Sequence, residues 1–150
     1  EADATWTFSS AGYFTSKAAR SLPNGDVVAL LYAEASNRHA ALVRLGITGA
    51  VVWGPTNYGN AHGEASDVAV GAGGDLAICG HGAGGGVGLS GRLSKVAAAD
   101  GAYLWGASYT AGGTPELIYN ECWGMQPMDD GGYVLACGTG IEGTTCGEVS

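Results

Sequence analysis

The chain has 150 residues, a length that fits a single domain (residues 1–150) with a buried core. A formal net charge of −8 excludes the basic stripe that nucleic acid selects and argues equally against an anionic membrane surface. No apolar run approaches the roughly 20 residues of a membrane helix, so membrane insertion is not expected, and 28 glycines without a collagen-like period demand many tight turns.

In chain order, Glu1 opens directly into "EADATWTF", with no basic or apolar leader pattern, and places Trp6 early on an extended segment. "SKAARSL" (Ser16 to Leu22) comes nearest to a helical face, but Pro23-Asn24-Gly25 cuts it short and its later counterparts read as extended. "NGDVVALLYA" then begins at Asn24, a turn feeding an apolar strand. The same phrase returns as "GGDLAICGHG" from Gly73 and "GGYVLACGTG" from Gly131. Asn24-Gly25, Gly73-Gly74 and Gly131-Gly132 tolerate the positive φ that a tight hairpin needs. A second phrase, "ALVRLGITGAVVWG" (Ala41 to Gly54), matches "RLSKVAAADGAYLWG" (Arg92 to Gly106), aligning Arg44 with Lys95, Gly49 with Gly101 and Trp53 with Trp105. The spacing is about 50 residues, a period of propeller blades.

Within the second unit the pattern gives four strands: Ser66 to Val70, Asp75 to Cys79, Gly91 to Val96 and Ala102 to Ala107. The stretch Gly80 to Gly91 reads as a long flexible loop, since it lacks the Lys-Ser/Thr of a phosphate loop. The third unit has strands near Glu121 to Met125 and Tyr133 to Cys137, and "TTCGEVS" begins another. Joined to "EADATWTF", that segment reads as the outer half of a blade, so one blade is expected to be split between the two ends. The expected fold is an all-β propeller of four-stranded antiparallel blades, about three of them in this chain. Propellers have roughly 4–8 blades. Three origins therefore stay open: a fragment of a larger propeller, copies exchanging terminal strands into a ring or fibre, and a self-closed ring. The open half-blade predicts that an isolated chain is not a stable monomer.

The residues "RLSKVAAADGAYLWGASY" followed by "DDGGYVLACGT" resemble the quinoprotein-like β-propeller repeat, a class that includes secreted members without enzyme activity. That resemblance covers nearly the whole chain and implies a docking role between blades for Trp53 and Trp105, and for Trp6. The Asp-to-Trp spacing is shorter than in the quinone-dependent enzymes and their motif Thr is missing. No calcium ligand set or catalytic Asp of that kind is identifiable, so no cofactor is expected.

Four cysteines allow Cys137 with Cys146, Cys79 with Cys122, or Cys122 with Cys137, and the sequence leaves the connectivity open. At least one disulfide is expected, which places the protein outside the cytosol, at the cell surface or beyond. His39, His62 and His81 fall in or beside loops, and His62 with Glu64 in "NAHGE" (Asn60 to Glu64) reads as a solvated loop and not as a metal or acid–base site. "PMDDGG" (Pro127 to Gly132) lacks the alternating oxygen ligands of a calcium loop, and Ser90 in "GLSG" is in no nucleophile elbow. Neither a catalytic set nor a metal site is expected. The functional expectation is a non-enzymatic extracellular assembly module of the kind that builds surface fibres, whose partners are other copies or the rest of a longer chain. The alternative is a glycan- or small-ligand-binding propeller using Tyr58, Tyr109 and Tyr119 as stacking rings. A fragment of a quinone-dependent dehydrogenase ranks last.

Overall fold

The computed structural model describes residues 7–12, 15–33, 39–59, 61–83, 88–110 and 118–141. Among them every regular element is a strand, which agrees with the all-β expectation. The first sheet is a meander of β1 (Thr15–Ser21), β2 (Val27–Ala33), β3 (His39–Leu45) and β4 (Val51–Asn57), each pairing antiparallel with the next. The second repeats it with β5 (Glu64–Val70), β6 (Leu76–Ala83), β7 (Gly88–Val96) and β8 (Tyr103–Tyr109). A third unit follows as the hairpin β9 (Ile118–Pro127) and β10 (Tyr133–Ile141), bridged to β7 by the parallel pairs Gly88↔Ile118 and Leu89↔Tyr119. Among the described residues the sheets do not close into a ring. "SKAARSL" falls largely in β1, because Pro23 and the turn after it leave too little length for a helix. The expected long loop Gly80 to Gly91 is corrected: β6 runs on to Ala83 and β7 starts at Gly88, since glycine costs a strand side-chain packing without forbidding its ladder.

The hairpin turns share one hydrogen-bond pattern. Leu22 N–H donates to Asp26 O and Gly25 N–H to Leu22 O; Gly71, Gly74 and Asp75 repeat this, as do Met128, Gly131 and Gly132. Gly25, Gly74 and Gly131 all have positive φ, so they are structural equivalents. This corrects the letter alignment, which set Gly73 against Gly131: the third unit is displaced by one residue. The bulges agree, since the pairings of β1, β5 and β9 skip Lys17, Ser66 and Trp123, at matching distances from those turns. The displacement has a chemical consequence. Cys137 takes the place of Gly80, opposite Cys122, and Cys79 takes the place of Ala136, opposite Asp67.

Consecutive units stack face to face. A leading face of the first sheet (Val28, Leu30, Ala40, Leu42) packs on a trailing face of the second (Val68, Leu76, Ile78, Val96), and all eight side chains are fully buried. The first strands also neighbour one another, β1 on β5 and β5 on β9. Asp67 on β5 links all three, accepting from Arg20 of β1 at 2.6 Å and from the Met125 N–H of β9 at 3.2 Å. The turn register is testable by substitution. Gly74→Ala must place a Cβ at φ +84° and is expected to lose roughly 1 kcal/mol. Gly73→Ala, with open space at its Cβ and no positive φ, is expected to be neutral or slightly stabilising in urea unfolding.

Candidate functional site

The most specific polar construction joins the first sheet to the turn between β7 and β8. Arg44 of β3 donates from Nη1 to Ala98 O at 2.7 Å, and Trp53 of β4 donates from Nε1 to the same oxygen at 2.9 Å. Tyr58, just past β4, donates to Gly101 O at 2.7 Å. Gly101 has φ +76°, and a Cβ there would meet the Trp53 ring at 2.9 Å, so only glycine lets this turn lie against the indole. Asp26 fixes the Arg44 guanidinium from the side, accepting from Nε at 2.8 Å and Nη2 at 2.6 Å. The Asn24 side-chain hydrogen bond, and then Arg44, hold the Asp26 carboxyl below its usual range.

The second unit carries the same set. Lys95 of β7 pairs with Asp75 at 3.1 Å as Arg44 does with Asp26, and Lys95 faces Trp105 in register as Arg44 faces Trp53. Tyr109 opposes Gly91 where Tyr58 hydrogen-bonds opposite Ala40. Trp105 and Tyr109 are 43% and 45% exposed, whereas Tyr58 is 4% exposed.

The expectation that Tyr58 offers an open stacking ring is therefore corrected: its ring is covered and its hydroxyl is engaged. Tyr109 borders a groove of about 160 Å³ between β7–β8 and the β9–β10 hairpin. A second cleft, of about 410 Å³, is lined by His39, Asn57, Tyr58, Gly59, Ala61 and Tyr103. Trp6 and Cys146 lie outside the described residues, and for Tyr119 only the backbone is described.

The solvated-loop reading of His62 is also corrected, and His81, expected in or beside a loop, lies within β6. His62 is 1% exposed and shares a 2.8 Å hydrogen bond between Nδ1 and the Oγ of Ser94, itself fully buried. Burial first, then the charge of Arg92 and the neighbouring His81, lower the His62 pKa to about 4, with the Cys79 carbonyl acting weakly the other way. A serine hydroxyl beside an imidazole suggests a nucleophile, but Ser94 has no surface for a substrate to reach. The pair instead holds the loop after β4 onto β7. His81 is buried between Glu64 of β5 (3.5 Å) and Glu121 of β9 (3.8 Å), with the Trp123 ring centroid 6.2 Å away. Sequence reasoning missed this group because its histidines are flanked by glycine, and only the stacking of sheets covers them.

Cys122 and Cys137 form a disulfide, the hairpin alternative among the three connectivities. Cys79 is a buried free thiol, so its pairing with Cys122 is corrected, as is that of Cys137 with Cys146. Burial, and then the Asp67 charge, push the Cys79 thiol up to about 12. A Cβ on Gly91 would lie 2.7 Å from Cys122 Sγ, so the disulfide rests against the backbone of β7. Among the described residues no group of three or more His, Cys, Asp or Glu side chains is arranged to hold a metal ion. No protein-family model, no curated protein and no solved structure matches this chain.

Trp53→Phe keeps an aromatic ring but removes one donor to Ala98 O, and is expected to cost about 1 kcal/mol in dilute urea unfolding. Trp105→Phe is expected to stay within about 0.5 kcal/mol under the same conditions. His62 gives a pH dependence. Above pH 6.5 the ring is neutral in both states; between 6.5 and about 4 only the unfolded chain gains the proton. Folding stability should fall by roughly 3 kcal/mol over that window and level off below it. Comparing unfolding of wild type and His62→Gln at several pH values isolates this contribution.

Proposed function

We propose that this chain is a non-enzymatic β-propeller assembly module of the quinoprotein-like repeat type, working outside the cytosol and joining further units through its sheet faces. The observation that carries this reading is the repeated donor set. Arg44, Trp53 and Tyr58 hold the next unit's turn, and Lys95, Trp105 and Tyr109 repeat them one unit later with both aromatic rings near half exposed. Successive antiparallel meanders whose first strands neighbour each other support the propeller arrangement. The edge of β10 supports joining by strand addition: β2 and β6 each pair on both sides, whereas β10 pairs with β9 alone among the described residues. The Cys122–Cys137 disulfide supports an oxidising compartment.

A second reading, a glycan-binding propeller, is favoured by one observation: exposed Tyr109 beside the groove of about 160 Å³. Negative-stain imaging and glycan-column chromatography of the purified protein separate the two. Rings or filaments with no sugar-reversible retention are the expected result. Dispersed single particles that free sugar elutes from the column would replace assembly with binding.

A further inference from the structure

Four hairpin turns among the described residues share one five-residue frame. The first N–H donates to the fifth carbonyl, as Leu22 does to Asp26, Gly46 to Ala50, Gly71 to Asp75 and Met128 to Gly132. The fourth residue is always a glycine of positive φ (Gly25, Gly49, Gly74, Gly131), and the third is Asn24, Thr48, Gly73 or Asp130. Asn24 is exposed, and of the chain's five asparagines it alone precedes glycine. Its Nδ2 donates to Asp26 Oδ2 at 2.9 Å, while its Oδ1 accepts from the Asp26 N–H at 3.3 Å. Asp130 repeats the second bond, accepting from the Gly132 N–H at 2.9 Å. A carboxylate fits there because the residue two places on is glycine. At the first turn that place holds Asp26, whose Oδ2 also receives Nε and Nη2 of Arg44, the side chain that grips Ala98 O. The Asp26–Arg44 pair is therefore matched to an amide at position 24.

We infer that Asn24 is a deamidation site, and that its conversion to a carboxylate loosens the tie between the first and second sheets. The Gly25 nitrogen gives its proton to solvent base and attacks Asn24 Cγ; the N–Cγ bond forms, the Cγ–Nδ2 bond breaks and ammonia leaves. Water then opens the resulting succinimide at either carbonyl, leaving aspartate or, with the backbone rerouted through Cβ, isoaspartate. Gly25 permits the attack because no side chain crowds its nitrogen. The closed turn holds the reaction back: Gly25 N–H is committed to Leu22 O at 2.9 Å, and both ends of the Asn24 amide are hydrogen-bonded. Conversion therefore proceeds from the opened turn. In the product, a donor facing Asp26 Oδ2 becomes an acceptor of like charge, and Arg44 is divided between two carboxylates.

Peptide mapping by mass spectrometry, during incubation of the full chain in mildly alkaline buffer, tests the site. Asn24 is expected to convert before any other asparagine, and about tenfold more slowly in the folded chain than in guanidinium chloride. Conversion that begins at another asparagine would overturn the site, and equal rates in both states would overturn the restraint by the turn. Urea unfolding of Asn24→Asp, the product itself, tests the consequence. At low salt it is expected to lower the folding equilibrium constant roughly threefold in the wild-type background, and not at all beside Asp26→Asn. A variant as stable as wild type, or one equally weakened with and without Asp26, would overturn the link to the sheet tie. Should Asp26→Asn fail to fold, salt decides: the Asn24→Asp loss is expected to shrink in about 0.5 M NaCl, and a loss unchanged by salt would overturn that link.

Discussion

The seating of the second sheet on the first turns on two backbone carbonyls, those of Ala98 and Gly101, captured by donors from the preceding sheet. A turn that packs against an apolar face loses water from its carbonyls, and an unsatisfied buried polar group costs about 1–3 kcal/mol. Arg44, Trp53 and Tyr58 remove that cost and fix the turn's position at once. Because two of the donors are aromatic, the groups that satisfy the carbonyls also bury apolar area. Asp26 aims the guanidinium, and the absence of a side chain at Gly101 lets the indole approach the backbone.

The inner ends of the sheets are tied differently. Asp67 accepts from Arg20 and from the Met125 amide, so one largely buried carboxylate links the first strands of three units. Its counterparts are Ala18 and Gly124, so the link is made by one unit and the others leave room for it. Between the inner and outer ties lies a buried polar layer in which His62 meets Ser94 and His81 stands between two glutamates. Such a layer is costly unless its members find partners, and it specifies how one sheet registers on the next. Burial keeps the His62–Ser94 pair away from solvent and lets it hold the loop after β4 onto β7.

Much of the local structure was legible in the letters. Asn24-Gly25 and Gly73-Gly74 announce turns, and the apolar runs after them announce strands covered on both faces. Trp53 and Trp105 were recognisable as a pair because the same phrase surrounds both. The alignment of the third unit failed by one residue, since matching letters favoured Gly73 with Gly131 where the hydrogen bonds equate Gly74 with Gly131. Of the three pairings the sequence left open, the one across the β9–β10 hairpin forms, because the strand register sets Cys137 directly opposite Cys122. Tyr58 was misread because an aromatic residue near a loop looks the same in sequence whether its hydroxyl faces solvent or a neighbouring carbonyl.

The sequence by itself determined the strands, the turns, the repeat and the kind of residue at each repeat position, because these rest on φ preference and apolar periodicity within a few residues. Tertiary structure alone decided which cysteines bond, which histidines are buried and which of two equivalent tryptophans is engaged. Those outcomes depend on what lies across a sheet face from distant parts of the chain. Burial and hydrogen bonding are properties of that juxtaposition, and identical residues acquire different chemistry when one face is covered and its copy is not.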